Sequence, residues 1–158
     1  MARISFKDVG TQGLDNEIQS VNEKPRIPIG IKTPLELDES DSDAIFKMHF
    51  NLADQITDNL RNLILTNNGE RLGFPDFGAN LRPLLTEYPN KDSFDASAMS
   101  KIKKAVSKYM SFVNLVAYES KVDRYENTNT GIYKLLIVYA VPTINIPETA
   151  MEVTLFIT

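Results

Sequence analysis

Three carboxylates that lie close together in the sequence, Glu70, Asp76 and Glu87, are the residues with which this chain could attempt acid–base chemistry. Hydrolysis of a glycosidic bond usually needs two such groups about 5 to 10 Å apart across a sugar-sized cleft, one with a raised pKa. Glu70 adjoins Arg71 and has Arg82 nearby in sequence. Cations beside a carboxylate lower its pKa, the wrong direction for a general acid. On these residues glycoside hydrolysis is disfavoured and stands only as an alternative. His49, the single histidine, could act as a base, but in "KMHFNL" on a helix it reads as a partner-facing or partly buried side chain. One imidazole cannot build a histidine-rich metal site, and a chain without cysteine has no thiolate ligand, thiol nucleophile or disulfide. The glycines of "GERLGFPDFG" lack the Lys-Ser/Thr ending that would hold phosphate and magnesium. No cofactor and no metal are expected.

Charge narrows the partners further. The net charge of -4 gives no electrostatic footprint for nucleic acid or an anionic membrane. Lys101, Lys103, Lys104 and Lys108 read as a solvated helix surface. No apolar run is long enough to cross a bilayer, and "MARISFKDVG" lacks the apolar centre of a secretory signal, so assembly in the cytoplasm is expected. At 158 residues, 42% of them hydrophobic, the chain can build one core without staples.

The elements that must position these residues follow from periodicity. Residues 1–41 carry prolines at 25, 28 and 34 and no sustained period, which predicts an extended N-terminal arm. Within it, "IPIGIKTPL" could pair as a short strand or lie along another protein's groove. Residues 42–158 form the expected domain. Ile45, Met48, Leu52, Ile56, Leu60, Leu63 and Ile64 recur at helical spacing, so a helix is predicted over 43–66, with Asp54, Asp58 and Arg61 largely outside its apolar stripe and caps in "ELDESDSDA". Gly69 should close its last turn in a left-handed conformation. Asn80 could cap a short helix through "LRPLLTE". A second long helix then carries Met99, Ile102, Val106, Tyr109 or Met110, and Val113 on its apolar stripe, capped by Asp92 or Asp95.

The last third alternates. "VNLVAYESKVDRY" puts Val116, Tyr118, Ser120 and Val122 on one strand face, and "YENTNTG" reads as a hairpin connection. "IYKLLIVYAV" reads as a central strand covered on both faces; Pro142 and Pro147 bound the next connection, and "MEVTLFIT" joins Met151, Val153, Leu155 and Ile157. The expected fold is α+β: two long helices packed on a three-stranded antiparallel meander.

Between the helices lies "NNGERLGFPDFGANL", residues 67–81. Neighbouring side chains diverge, so Glu70 and Arg71 are expected to find partners elsewhere and tie segments together. Phe74 and Phe77 can bury the loop, Pro75-Asp76 suits a turn, and Gly78 permits close backbone approach. On these residues alone, a rigid connector outranks a catalytic loop.

The stretch "NLILTNNGERLGFPDFGANLRPLL" resembles the hallmark of the baseplate wedge, or sheath-initiator, family of contractile-tailed phages, which extends to a type VI secretion baseplate subunit. The matching elements are Leu63 to Thr66, Gly69-Glu70-Arg71, Pro75, Phe77-Gly78 and Leu81. Upstream, Gly30 to Leu35 ("GIKTPL") is similar to the family's lead-in. Downstream, Tyr118 and Glu119 stand where the family carries aromatic-Glu-Pro-Arg, with Ser120 in place of Pro and Lys121 in place of Arg. Lysine keeps the charge but loses the planar fork. The resemblance implies a virion structural protein with no catalytic residues, which contacts baseplate wedge proteins and the tail sheath protein, with tail tube or hub proteins as further candidate partners. It further implies that sheath strands join the sheet by β-augmentation. Names within this family have also carried a lysozyme label, so the resemblance brings in a lysozyme-like glycoside hydrolase acting on peptidoglycan as the alternative; a generic α+β interaction module is the third reading.

Overall fold

The computed structural model describes residues 27–39, 45–87, 91–124 and 131–156. Most of the arm, the acidic run 40–44, the connection 125–130 and Ile157 lie outside the described residues.

The architecture is α+β. Two short strands, β1 (Gly30–Ile31) and β2 (Met48–His49), make an antiparallel ribbon, extended by a Leu37–Phe46 bridge. Three helices follow, α1 (Leu52–Leu65), α2 (Arg82–Glu87) and α3 (Lys91–Tyr109). Strands β3 (Asn114–Arg124), β4 (Gly131–Val141) and β5 (Ile146–Phe156) form an antiparallel sheet in that order. "IPIGIKTPL" thus pairs within this chain rather than lying free.

Helix α1 starts nine residues later than its apolar spacing suggests. Asn51 is extended, and its Oδ1 accepts the Ala53 N–H at 3.1 Å, which satisfies one of the donors a helix start leaves open. Upstream, the His49 carbonyl accepts Ile29 N–H at 2.8 Å and Lys32 N–H bonds the Lys47 carbonyl at 2.9 Å. The backbone of 45–49 is therefore committed to the ribbon, and Ile45 is left 74% exposed. From Ile56 onward the stripe holds: Ile56, Leu60, Leu63 and Ile64 are buried.

On α3 the buried face is Phe94, Ala98, Ile102, Ala105 and Val106, followed by Met110 and Val113 beyond the helix end. Met99, expected inside, is on the exposed side. Small residues at 98 and 105 let the helix approach closely, and that rotates the buried stripe away from Met99.

The strands are 11 residues each. In β4, Tyr133, Leu135, Ile137, Tyr139 and Val141 alternate into the core, and the Tyr139 hydroxyl meets Thr57 Oγ1 at 2.6 Å. The intervening Leu136 is exposed, so β4 is central but covered on one face, not both. In β5, Met151, Val153 and Leu155 are buried together as the alternation predicts. In β3 the pairing register shifts between Leu115 and Ala117. An extra residue reverses the alternation, so Val116 faces solvent while Tyr118 and Val122 pack on the core and Ser120 is buried.

Candidate functional site

The junction between α1 and α2 is locked from several sides. α1 ends at Leu65, with Thr66 extended and its N–H bonded to the Asn62 carbonyl. Gly69 does take a left-handed φ of +85°, yet it does not close the helix; its N–H donates to the Pro75 carbonyl at 2.7 Å and closes the loop on itself. Phe77 N–H bonds the Phe74 carbonyl across the expected Pro75-Asp76 turn. Gly78, at φ +111°, runs so close to α1 that a Cβ there would lie 2.1 Å from the Thr66 carbonyl oxygen. Ala79 N–H then reaches the Leu63 carbonyl at 3.0 Å and Asn80 N–H the Thr66 carbonyl at 3.2 Å. The loop caps the exposed carbonyls of α1's last turn, which is what a helix end requires.

Asn80 does not cap α2. It holds a positive φ of 52°, and Asn67 Oδ1 accepts the Arg82 N–H at 3.2 Å in its place. Asn67 also gives its own N–H and Nδ2 to Glu70, both at 2.8 Å. These two bonds, helped by Arg82, hold the Glu70 carboxyl below the usual glutamate range. Arg71 lies over the Phe77 ring, 3.8 Å from its centroid, and Phe77 packs on Tyr109 of α3 at 4.9 Å. Phe74, expected to help bury the loop, is 66% exposed, as is all of Leu72. One aromatic anchors the loop; the other is presented outward.

The second predicted group sits elsewhere. Tyr118 donates to Asp95 Oδ1 at 3.1 Å and Ser120 Oγ to Asp95 Oδ2 at 2.7 Å. Burial first, and the Asp95 carboxylate second, push the Tyr118 phenol well above its ordinary range. Glu119 and Lys121 project to the exposed face. Asp95 and Tyr109 are 14 residues apart on one helix, about 20 Å. The junction and the Tyr118–Lys121 strand are therefore separate surfaces at opposite ends of α3.

Two clusters escaped the sequence reading. Asp58 is not solvated: it is buried, and accepts His49 Nε2 at 2.7 Å, Thr33 N–H at 2.8 Å and Arg61 Nη1 at 2.8 Å. Burial pushes its pKa up, but the hydrogen bonds from His49 and Thr33 outweigh it, and the carboxyl sits below the usual aspartate value. This pins the ribbon to α1. His49 and Asp58 could not be paired from sequence, because His49 is on a strand and not on the helix. The other cluster is a cavity of about 330 Å³ between the junction and α3, lined by Lys101, Lys104 and Lys108. Their spacing of three and four was the available signal.

Two solved structures share this architecture. A Geobacter sulfurreducens protein, provisionally named a tail lysozyme, overlaps 68% of this chain and 93% of its own with a TM-score of 0.55 at 18% identity. A chain of the anti-feeding prophage baseplate overlaps 70% and 82%, with a TM-score of 0.56 at 16% identity. The fold is baseplate-like. No protein-family profile and no curated protein matches the chain. At such identities the likeness carries the fold alone, and the site residues must speak for the function.

Proposed function

We propose that this chain is a structural component of a contractile-tail baseplate, docked on wedge proteins and offering an outer strand of its sheet to an extended arm of the tail sheath protein. The first sheath ring would then form on a template rather than in free solution. The observation that carries this reading is the open sheet. β3 and β5 are outer strands of 11 residues each, and among the described residues no further strand pairs with either outer edge. An edge about 35 Å long is a strand-pairing site that soluble proteins ordinarily blunt. The shared fold with a baseplate chain supports the same reading. Its place is accordingly the tail baseplate of a particle assembled in the host cytoplasm.

The chain contains no cysteine, so introduced thiols give a clean test. The purified protein, mixed with sheath subunits in the presence or absence of assembled wedges, should seed sheath polymers visible by electron microscopy. A cysteine placed at Lys121 on β3 or Glu152 on β5, paired with a cysteine introduced into the sheath arm and oxidised by a mild added oxidant, should form an interchain disulfide on one edge only. No seeding under either condition, with no trapped arm, would sink the proposal.

One neighbour's tail-lysozyme name favours a second reading, glycan hydrolysis. Glu70 is its natural acid, but its pKa is displaced downward by Asn67, opposite to what protonating a leaving group at neutral pH needs. Muramidase activity that disappears on Glu70→Gln would establish this reading instead.

A further inference from the structure

Lys101, Lys104 and Lys108 share one face of α3 and line a half-enclosed cavity of about 330 Å³, whose opposite wall is Asn68, Asp76 and residues 78–80 of the junction. That volume falls at the lower end of the range for ligand sites, roughly 300–1,000 Å³. Three ammonium groups face one carboxylate, Asp76, on a chain whose net charge is -4. The local sign is thus opposite to that of the molecule, and a concave, partly walled surface focuses such a field.

The three lysines are not equally engaged. Lys101 Nζ donates to the Asn80 carbonyl at 3.1 Å and is fixed as part of the wall. Lys108 stands 3.7 Å from Asp76, whose side chain is 79% exposed. So open a pair contributes little and is easily exchanged. Lys104, between them, has no carboxylate within 4.0 Å among the described residues. The wall does not have to be built on binding: Gly78 abuts the Thr66 carbonyl, Ala79 N–H is bonded to the Leu63 carbonyl, and Phe77 packs at a tilt against Tyr109. A preformed wall saves ordering entropy when a ligand enters.

We propose that this cavity is a recognition pocket for an acidic peptide segment of a partner protein, whose Asp or Glu carboxylates bind Lys104 and Lys108 while the Asn68 and Asn80 amides hold its polar groups. A short acidic peptide fits better than a nucleic acid. The cavity is a local, half-enclosed concavity of about 330 Å³, room for a few side chains, whereas a nucleic acid binds along an extended basic track, for which a chain of net charge -4 gives no footprint. The inference uses neither sheet edge and stands apart from sheath templating.

The test is fluorescence anisotropy of the full chain with a labelled hexapeptide of Glu and Asp, a Gly-Ser hexapeptide, and a single-stranded DNA of equal charge. Saturable binding of the acidic peptide is expected, weakening as salt rises from about 50 to about 300 mM because the contacts are partly exposed. Lys104→Glu, at an exposed position that leaves the fold undisturbed, should weaken it about tenfold, since it removes one attraction and adds one repulsion. Lys103→Glu makes the same change in net charge outside the cavity and should alter affinity less than about twofold. Equal losses in both variants, no saturable binding of the acidic peptide, or tighter binding of the DNA would each overturn the proposal.

Discussion

Replacing Gly78 with alanine tests how the junction is held. The perturbation has two parts. A side chain at φ +111° is strained, which costs about 1–3 kcal/mol. The new Cβ would also fall 2.1 Å from the Thr66 carbonyl oxygen and 2.7 Å from its carbon. Both are backbone atoms at the end of α1, so no flexible side-chain tip can swing away. That same oxygen accepts the Asn80 N–H at 3.2 Å, and displacing it forfeits about another 1 kcal/mol. Gly78→Ala should therefore cost about 2–4 kcal/mol. Gly69 supplies the control. Its φ of +85° is also left-handed, but nothing lies within 4 Å of a Cβ there, so Gly69→Ala should cost only about 1 kcal/mol. For a domain of this size each kcal/mol lowers Tm by about 2–4 °C. Urea unfolding should rank the wild type above Gly69→Ala and Gly69→Ala above Gly78→Ala, with an unchanged slope. Equal midpoints for the two variants would refute the close approach to Thr66.

Asp58→Asn should cost about 2–3 kcal/mol at pH 7, because a buried carboxylate loses its charge-assisted bonds to His49 and Arg61. The folded pKa lies below the unfolded value of about 3.8, so the contribution is full above that pH and is lost as pH falls through the lowered value. Urea midpoints of wild type and variant should therefore converge in acid, and a gap that persists there would speak against the carboxylate's role. Ser120→Ala and Tyr118→Phe should each cost about 1 kcal/mol, and a double-mutant cycle should show coupling because both hydroxyls serve Asp95. Arg71→Ala should cost only about 0.5–1 kcal/mol through lost ring contact, yet should impair incorporation into baseplates. Normal incorporation, scored by co-sedimentation with wedges, would remove Arg71 from the assembly surface.

What periodicity could reveal, it did: the apolar repeat of α1 from Ile56 on and the alternation of β5 both express a single buried face. The errors have local causes. The helical spacing extends upstream through Met48 and Ile45, but the Asn51 cap and the ribbon's backbone bonds hold that segment extended, and hydrogen-bond pairing between distant segments leaves no periodic trace. The near-continuous apolar run of β4 suggests burial on both faces, whereas one face is covered by helices and the other is open. A single-residue bulge turned Val116 outward. Gly69 and Gly78 announce unusual backbone, but which glycine closes on α1 depends on a contact twelve residues back, at Thr66. The Asp58 network needs His49 in a strand and Thr33 in the arm, so it became visible only once three separate segments were placed in space.

One architecture accompanies two different names, a tail lysozyme and a baseplate chain, so the fold cannot choose between chemistry and assembly. The environment of Glu70, the acid nominated for such chemistry, bears on that choice. A glycosidase acid must hold its proton near neutral pH, and the usual way to raise a carboxyl's pKa is to bury it without donors or to set it beside another carboxylate. Among the described residues, Glu36, Asp58 and Glu70 have shifted pKa values, and all three move down, each because lysine, histidine or amide donors face it. Those carboxylates fasten a loop, a ribbon and a helix to one another. Rigid fastening of a junction around an open sheet is what a template needs, since a strand arriving from another chain gains most when the edge it joins is already in place. The same donors that make Glu70 a poor acid make the junction a good anchor, and this is why the assembly reading is preferred over the catalytic one.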